Sequence, residues 1–144
     1  MILRLLSEKE TDPALELAWN VFLRYEAPDY SQEGVDEFKR SIRDPEFVRK
    51  LRFYGAFDGE ELVGVLATRS SGDHIALFFV TEKLQGQGIG RKLFDMVVKE
   101  NTSGKMTVNS SPYAVRIYRH FGFVNTDMEQ VTNGIRYTPM ELIL

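Results

Sequence analysis

The segment from His74 to Glu100 constrains the fold more than any other. It reads "HIALFFVTEKLQGQGIGRKLFDMVVKE". "HIALFFV" has the length of a strand and is apolar enough to be buried on both faces. Further on, Ile89, Leu93 and Val97 fall on one face at helical spacing. Between them, "QGQGIGRK" (Gln85 to Lys92) places three glycines within five residues. "KMTVN" (Lys105 to Asn109) then reads as another strand. A strand that turns into a helix and returns as a strand is a crossover unit, and it requires helices packed on a sheet. A plain tight turn needs no such run of glycines, which costs backbone entropy. Glycines at a helix start let another group approach the backbone closely.

The rest of the chain fits a mixed sheet. "ILRLL" (Ile2 to Leu6) is a first strand. Pro13 is predicted to open a helix, with Leu15, Ala18, Trp19, Phe22 and Tyr25 on its inner face. Pro28 ends that region. Ser31 caps a second helix that turns Val35, Phe38 and Ile42 inward, and Asp44-Pro45 breaks it. "LRFYGAF" (Leu51 to Phe57), the turn "DGE", "LVGVLATR" (Leu62 to Arg69) and the turn "SSGD" lead into "HIALFFV" as a three-strand meander. Gly104 lies just past the helix that follows the glycine turn. "SPYAVRIYRHFGF" (Ser111 to Phe123) is a helix with a cap, a proline at its first position and a glycine stop. "IRYTPMELIL" (Ile135 to Leu144) closes the sheet. The expectation is a mixed α/β fold of about seven strands and four helices, in one domain over residues 1–144.

Composition narrows the function. With 144 residues, of which 43% are hydrophobic, the chain can bury a core without metals or disulfides. It has no cysteine, which removes disulfides, thiolate nucleophiles and cysteine-based zinc sites; no metal is expected. A reducing cytoplasm is the expected location. "MILRLLSEKE" lacks the apolar region of a signal peptide, and "IALFFV" is too short to span a membrane. A net charge of −3 with no basic block argues against nucleic acid as the main partner.

A helix start offers unpaired N–H groups and a partial positive charge, so the glycine turn reads as a phosphate site. Spacing decides which kind. A P-loop requires Gly-Lys-Ser/Thr, but here Arg91 precedes Lys92 and Leu93 follows it. In a dinucleotide fingerprint counted from Gly86, the third glycine position is Arg91, and the later acidic residue is missing from "KMTVN". What remains is Gln85-x-x-Gly88-x-Gly90.

In this context the pattern resembles the acetyl-CoA signature of the GNAT superfamily of N-acetyltransferases. The inferred element order resembles that family along nearly the whole chain. A second motif agrees: "VNSSPYAVRIYRHFGFV" (Val108 to Val124) places Ala114, Tyr118, Gly122 and Phe123 at the family's spacing. The resemblance implies a central pair of strands that splay apart to form the acetyl-CoA cleft. The strand before the glycine turn, including Phe78, Phe79 and Val80, would pair its backbone with the pantetheine arm. The pyrophosphate would sit on the turn formed by Gln85, Gly86, Gln87, Gly88, Ile89, Gly90 and Arg91. Tyr118 would protonate the departing thiolate. Many members carry asparagine seven residues before that tyrosine; here the position is Ser111, with Asn109 nearby on the preceding strand. Many also carry a glutamate on the splayed strand, and "HIALFFV" has no carboxylate.

The general base is therefore open: Glu26, Asp29 and Tyr30 of "YEAPDYSQEG", where the resemblance implies the acceptor site, and His74, whose ordinary pKa suits the role, are candidates for substrate contact and proton removal, and base action through ordered water is equally open. The implied activity is transfer of acetyl from acetyl-CoA to a small-molecule or peptide amine by direct attack. A non-enzymatic acyl-CoA-binding module of the same fold is the alternative. Dimers are common in the family, and nothing in the sequence fixes the oligomeric state.

Overall fold

The computed structural model describes all residues, 1–144. Strands β1 (Ile2–Leu5), β2 (Arg52–Asp58), β3 (Glu61–Arg69), β4 (His74–Val80), β5 (Lys105–Ser110), β6 (Val124–Asn125), β7 (Gln130–Thr132) and β8 (Ile135–Ile143) form the sheet. Its order is β1-β2-β3-β4-β5-β8-β6, with β7 paired to β8. The helices are α1 (Thr11–Tyr25), α2 (Gln32–Arg43), α3 (Pro45–Arg49), α4 (Ile89–Glu100) and α5 (Val115–His120). The mixed α/β expectation holds, with one strand and one helix more than anticipated. The extra helix, α3, forms because Asp44 ends α2 and its carboxylate then accepts from the Glu46 amide at 2.9 Å, capping a new turn that begins on Pro45.

Two apolar layers hold the sheet. Ala14, Ala18 and Phe22 of α1 pack with Val65, Leu77 and Phe79 on one face. Leu93, Phe94 and Val97 of α4 pack with Leu66, Ile75 and Met106 on the other. β3 supplies both layers and is buried along most of its length, because it is central and covered on each side. Burying each Leu or Phe contributes about 1.5–3 kcal/mol.

Local chemistry sets several boundaries. The α1 start falls at Thr11, not at Pro13. The Ser7 N–H donates to the Glu10 carboxylate at 2.8 Å and Arg4 grips the same group, so a single 3₁₀ turn over Glu8–Glu10 leads into the helix. Pro13 is tolerated inside the first turn, where amides have no helical partner anyway. The buried stripe of α1 is Ala14, Leu17, Ala18 and Phe22, while Leu15 and Trp19 are only half-buried at its side. Ser31 caps α2 as expected, accepting from the Gly34 amide at 3.3 Å. α5 is shorter than the spacing implied. Ser111 accepts from the Ala114 amide at 3.3 Å and shapes a turn, and the helix proper starts at Val115.

The β7–β8 connection is Asn133-Gly134, both at positive φ (53° and 79°), the pattern of a tight hairpin turn. This turn lies against the start of α2. A Cβ on Gly134 would collide with the Gly34 amide, and one on Gly34 would collide with the Gly134 carbonyl. Gly134→Ala is therefore expected to destabilise the fold by about 2 kcal/mol or more, since the left-handed backbone alone costs an L-residue about 1–2 kcal/mol. Urea unfolding of the variant measures it.

β4 and β5 are the only parallel pair, and they pair at just two positions, His74↔Thr107 and Ile75↔Val108. Beyond Ile75 they separate. β4 also carries an irregularity against β3, where Ala67 faces Leu77 and Thr68 faces Ile75, leaving Ala76 without a partner. Phe78 and Val80 are consequently half-exposed rather than buried, and they face the opening between the strands.

Candidate active site

The opening between β4 and β5 is a cavity of about 480 Å³. Its floor is β4, through Phe78, Phe79 and Val80. One end is the glycine turn and the start of α4, through Gly86, Gly88, Ile89, Gly90 and Arg91. The opposite wall is α5 with the turn before it, through Tyr113, Ala114, Ile117, Tyr118 and Phe121. Val21 and Glu26 of the α1 region complete the rim.

The glycine end is built for close approach. Gly86 and Gly88 have φ of 79° and 83°, and a Cβ on either would meet nothing within 4 Å. The space over these amides is thus open toward a ligand. Gly88 is the residue preceding α4, so the first free N–H groups of a 12-residue helix point into this region. Gln85 braces the turn from behind, its side-chain amide donating to the Val80 carbonyl at 2.9 Å. Arg91 lies over the Phe121 ring at 5.3 Å and pairs with Asp95 at 3.1 Å, which holds a cation at this end. Gln87 points away, its amide donating to the Lys83 carbonyl at 3.4 Å.

Tyr118 is 6% exposed and sits between Phe78 and Phe123, with ring centroids 6.2 and 5.4 Å away. Its hydroxyl has no hydrogen-bond partner within the chain, although the residue lines the cavity. Burial, followed by the charge of Glu26, pushes its pKa above the ordinary tyrosine value.

The four candidates for the base part company here. Glu26 lines the cavity and is half-buried as a residue, its carboxyl lying beside Ser111. Burial, aided by the charge of Asp29 and opposed by the Ser111 hydroxyl, lifts its carboxyl from 4.5 to about 7. Asp29 is exposed, and its backbone carbonyl accepts from Arg136 at 2.9 Å. Tyr30 turns the other way, its hydroxyl donating to the Arg136 carbonyl at 3.2 Å while its ring packs on Phe22. Arg136 thus ties down the loop that carries Glu26. His74 stands at the far end of β4, outside the cavity, where its Nδ1 shares a 2.8 Å hydrogen bond with the Thr107 hydroxyl. Burial, then Arg69, lowers its pKa to about 4.

Of the two other cofactor candidates, Asn109 is exposed on the outer side of β5, opposite Pro139, and does not reach the cavity. The strand alternation that buries Val108 and Ser110 turns it outward. Ser111 is 7% exposed and lies beside Glu26 rather than in the lining. Sequence reasoning missed Tyr113, Ile117 and Phe121. Phe121 stands three residues after Tyr118, so helical spacing from that residue points to it, whereas Ile117, its immediate neighbour, lies on another side of the helix and carried no such signal. Tyr113 precedes the helix and carried no periodic signal.

Three solved structures share this architecture. A GCN5-related N-acetyltransferase from Rhodopseudomonas palustris superposes with a TM-score of 0.85 at 20% identity, over 99% of this chain and 95% of that one. The PaiA N-acetyltransferase from Thermoplasma acidophilum, in complex with coenzyme A, gives 0.78 at 16% identity over 100% of both chains. Tetrahymena GCN5 gives 0.68 at 17% identity over 99% of this chain and 96% of that one. At such identities the likeness is one of fold. No curated protein matches the sequence. The sequence of residues 26–144 does match a family described as the acetyltransferase (GNAT) domain. That stretch contains the glycine turn, the splayed strands and Tyr118, so the resemblance and the fold meet on the same residues, and the chain belongs to the GNAT acetyltransferase family.

Proposed function

We propose that the protein is an N-acetyltransferase that moves an acetyl group from acetyl-CoA to a primary amine. The observation that carries this reading is the polarity of one continuous cavity. At one end lie open glycine amides and Arg91, suited to a pyrophosphate; at the other lies Glu26, suited to an amine; Tyr118 stands on the wall between. Phe78 and Val80 line the floor where β4 has left β5, and an unpaired strand edge suits an extended pantetheine arm.

Transfer then proceeds by direct attack within a ternary complex. Glu26 takes a proton from the bound ammonium, leaving a neutral amine. The amine nitrogen forms a bond to the thioester carbonyl carbon, and the resulting oxyanion collapses with cleavage of the carbon–sulfur bond. The thiolate accepts the Tyr118 proton, the nitrogen gives its second proton back to the Tyr118 phenolate as the amide forms, and Glu26 returns its proton to solvent. The carboxylate that β4 lacks is supplied by Glu26 instead, which favours an enzyme over a module that only binds acyl-CoA. Release of free CoA thiol in equal amount to acetylated amine, across a panel of primary amines, tests the reading. Saturable acetyl-CoA binding with no thiol release would leave the binding module.

The glycine turn gives an independent check. Gly88→Val forces a β-branched side chain into a left-handed conformation and fills the space over the amides. CoA affinity should fall at least tenfold, roughly 1.4 kcal/mol. Calorimetry that returns unchanged affinity for the folded variant would move the site elsewhere.

A further inference from the structure

We infer that the amine acceptor is a monoamine carried on an aromatic body and free of any carboxylate, an inference that rests on the transferase reading of this cavity and deepens it. Beside Glu26 the rim is aromatic and aliphatic. Tyr113 lines the cavity at 40% exposure, and its ring lies against that of Tyr25 with centroids 5.2 Å apart and planes tilted by 33°. Val21 and Ile117, the latter 42% exposed, continue the apolar surface. Large side chains left open together at a cavity mouth favour an apolar group laid against them. A ring on the acceptor extends the tyrosine pair by another offset or edge contact.

Charge sets the rest of the class. Glu26 is the only carboxylate lining the cavity, so one ammonium is matched and a second would be buried without a partner. A carboxylate next to the amine would face Glu26 with little to offset it. Arg136, behind the loop, is engaged by Glu129 at 3.2 Å and by the Asp29 carbonyl. Arg91 belongs to the glycine end. His120 also lines the cavity at the close of α5, and a carboxylate held there is the outcome that the phenylalanine titration below reads against the inference.

Calorimetry with the full chain saturated with CoA tests this by titrating phenethylamine, phenylalanine and putrescine. Phenethylamine should bind at least about tenfold more tightly than either of the others. Tyr113→Ala should weaken phenethylamine by roughly five- to tenfold and leave putrescine unchanged, a split that general damage to the fold would not produce. Equal or tighter binding of phenylalanine or putrescine, or no saturable binding of phenethylamine, would overturn the inference. The panel on the unaltered protein keeps the test independent of how the variant folds. The expected order without any thiol release would sink the transferase reading and leave the cavity a binding site for aromatic monoamines; thiol release with a different order would overturn this inference and leave the transferase reading in place.

Discussion

Replacing Tyr118 with phenylalanine is expected to lower kcat by roughly 10²-fold, the lower end for a positioned proton donor, with little change in acetyl-CoA affinity. The ring is packed by Phe78 and Phe123, and phenylalanine keeps that packing. Burial raises the pKa of the phenol, so at neutral pH it keeps its proton and stands ready to donate to the charge that develops on a departing thiolate beside it. The stability result separates chemistry from architecture. A core tyrosine with a bonded hydroxyl would leave an orphaned partner when truncated, at a cost of about 1–3 kcal/mol. Tyr118 has no such partner, so the variant should melt at or near the temperature of the unaltered protein. Melting temperature and kcat measured on one preparation decide the matter. A variant that is less stable yet fully active would take Tyr118 out of the mechanism.

Glu26→Gln is expected to lower kcat/KM by about 10²–10³-fold for a positioned base. It should also change the shape of the pH profile. Burial first, and Asp29 second, hold the carboxyl at about 7, so the fraction able to accept a proton grows as pH rises through neutrality, and so should the rate. Glutamine removes that titration, and whatever slope remains belongs to the amine. Stability should move in the opposite sense to activity. Between about 4.5 and about 7 the folded protein holds a proton on Glu26 that the unfolded chain has already lost. The folded state is therefore favoured at the acid end of that window, and the advantage fades as pH rises through it. At pH values above 7 the ionised carboxyl is a burden on the fold, and glutamine relieves it. The variant should thus be slower and, on the basic side, no less stable. Full activity with an unchanged pH profile would assign proton removal to another group or to water.

Several features of this protein were written in short stretches of sequence, because the forces that make them act between near neighbours. Ser31 caps a helix because its side chain reaches an amide three residues on. Asp58-Gly59 turns the β2–β3 hairpin because Gly59 accepts a φ of 64°. The glycine turn before α4 exposes amides for the same local reason, and its spacing alone separated it from P-loops and dinucleotide folds. Asn133-Gly134 belongs with these; its signal was present in the sequence and went unread.

The choice among Glu26, Asp29, Tyr30 and His74 was not local. Glu26 and Asp29 lie three residues apart in one loop and are the same kind of acid. Only the folded chain, with Arg136 of β8 drawing the loop down, leaves Asp29 in water and turns Glu26 into the cavity beside Ser111. His74 sits on the right strand but at the end where β4 still pairs with β5. Asn109 and Ser111 are separated by one residue, and the pleat of β5 together with the turn after it sends one to solvent and the other toward Glu26. Sequence spacing determined where the glycine end of the cavity would be and which helix face would carry Tyr118. Tertiary structure alone decided which carboxylate is desolvated, because burial is a property of what packs around a residue and not of what precedes it.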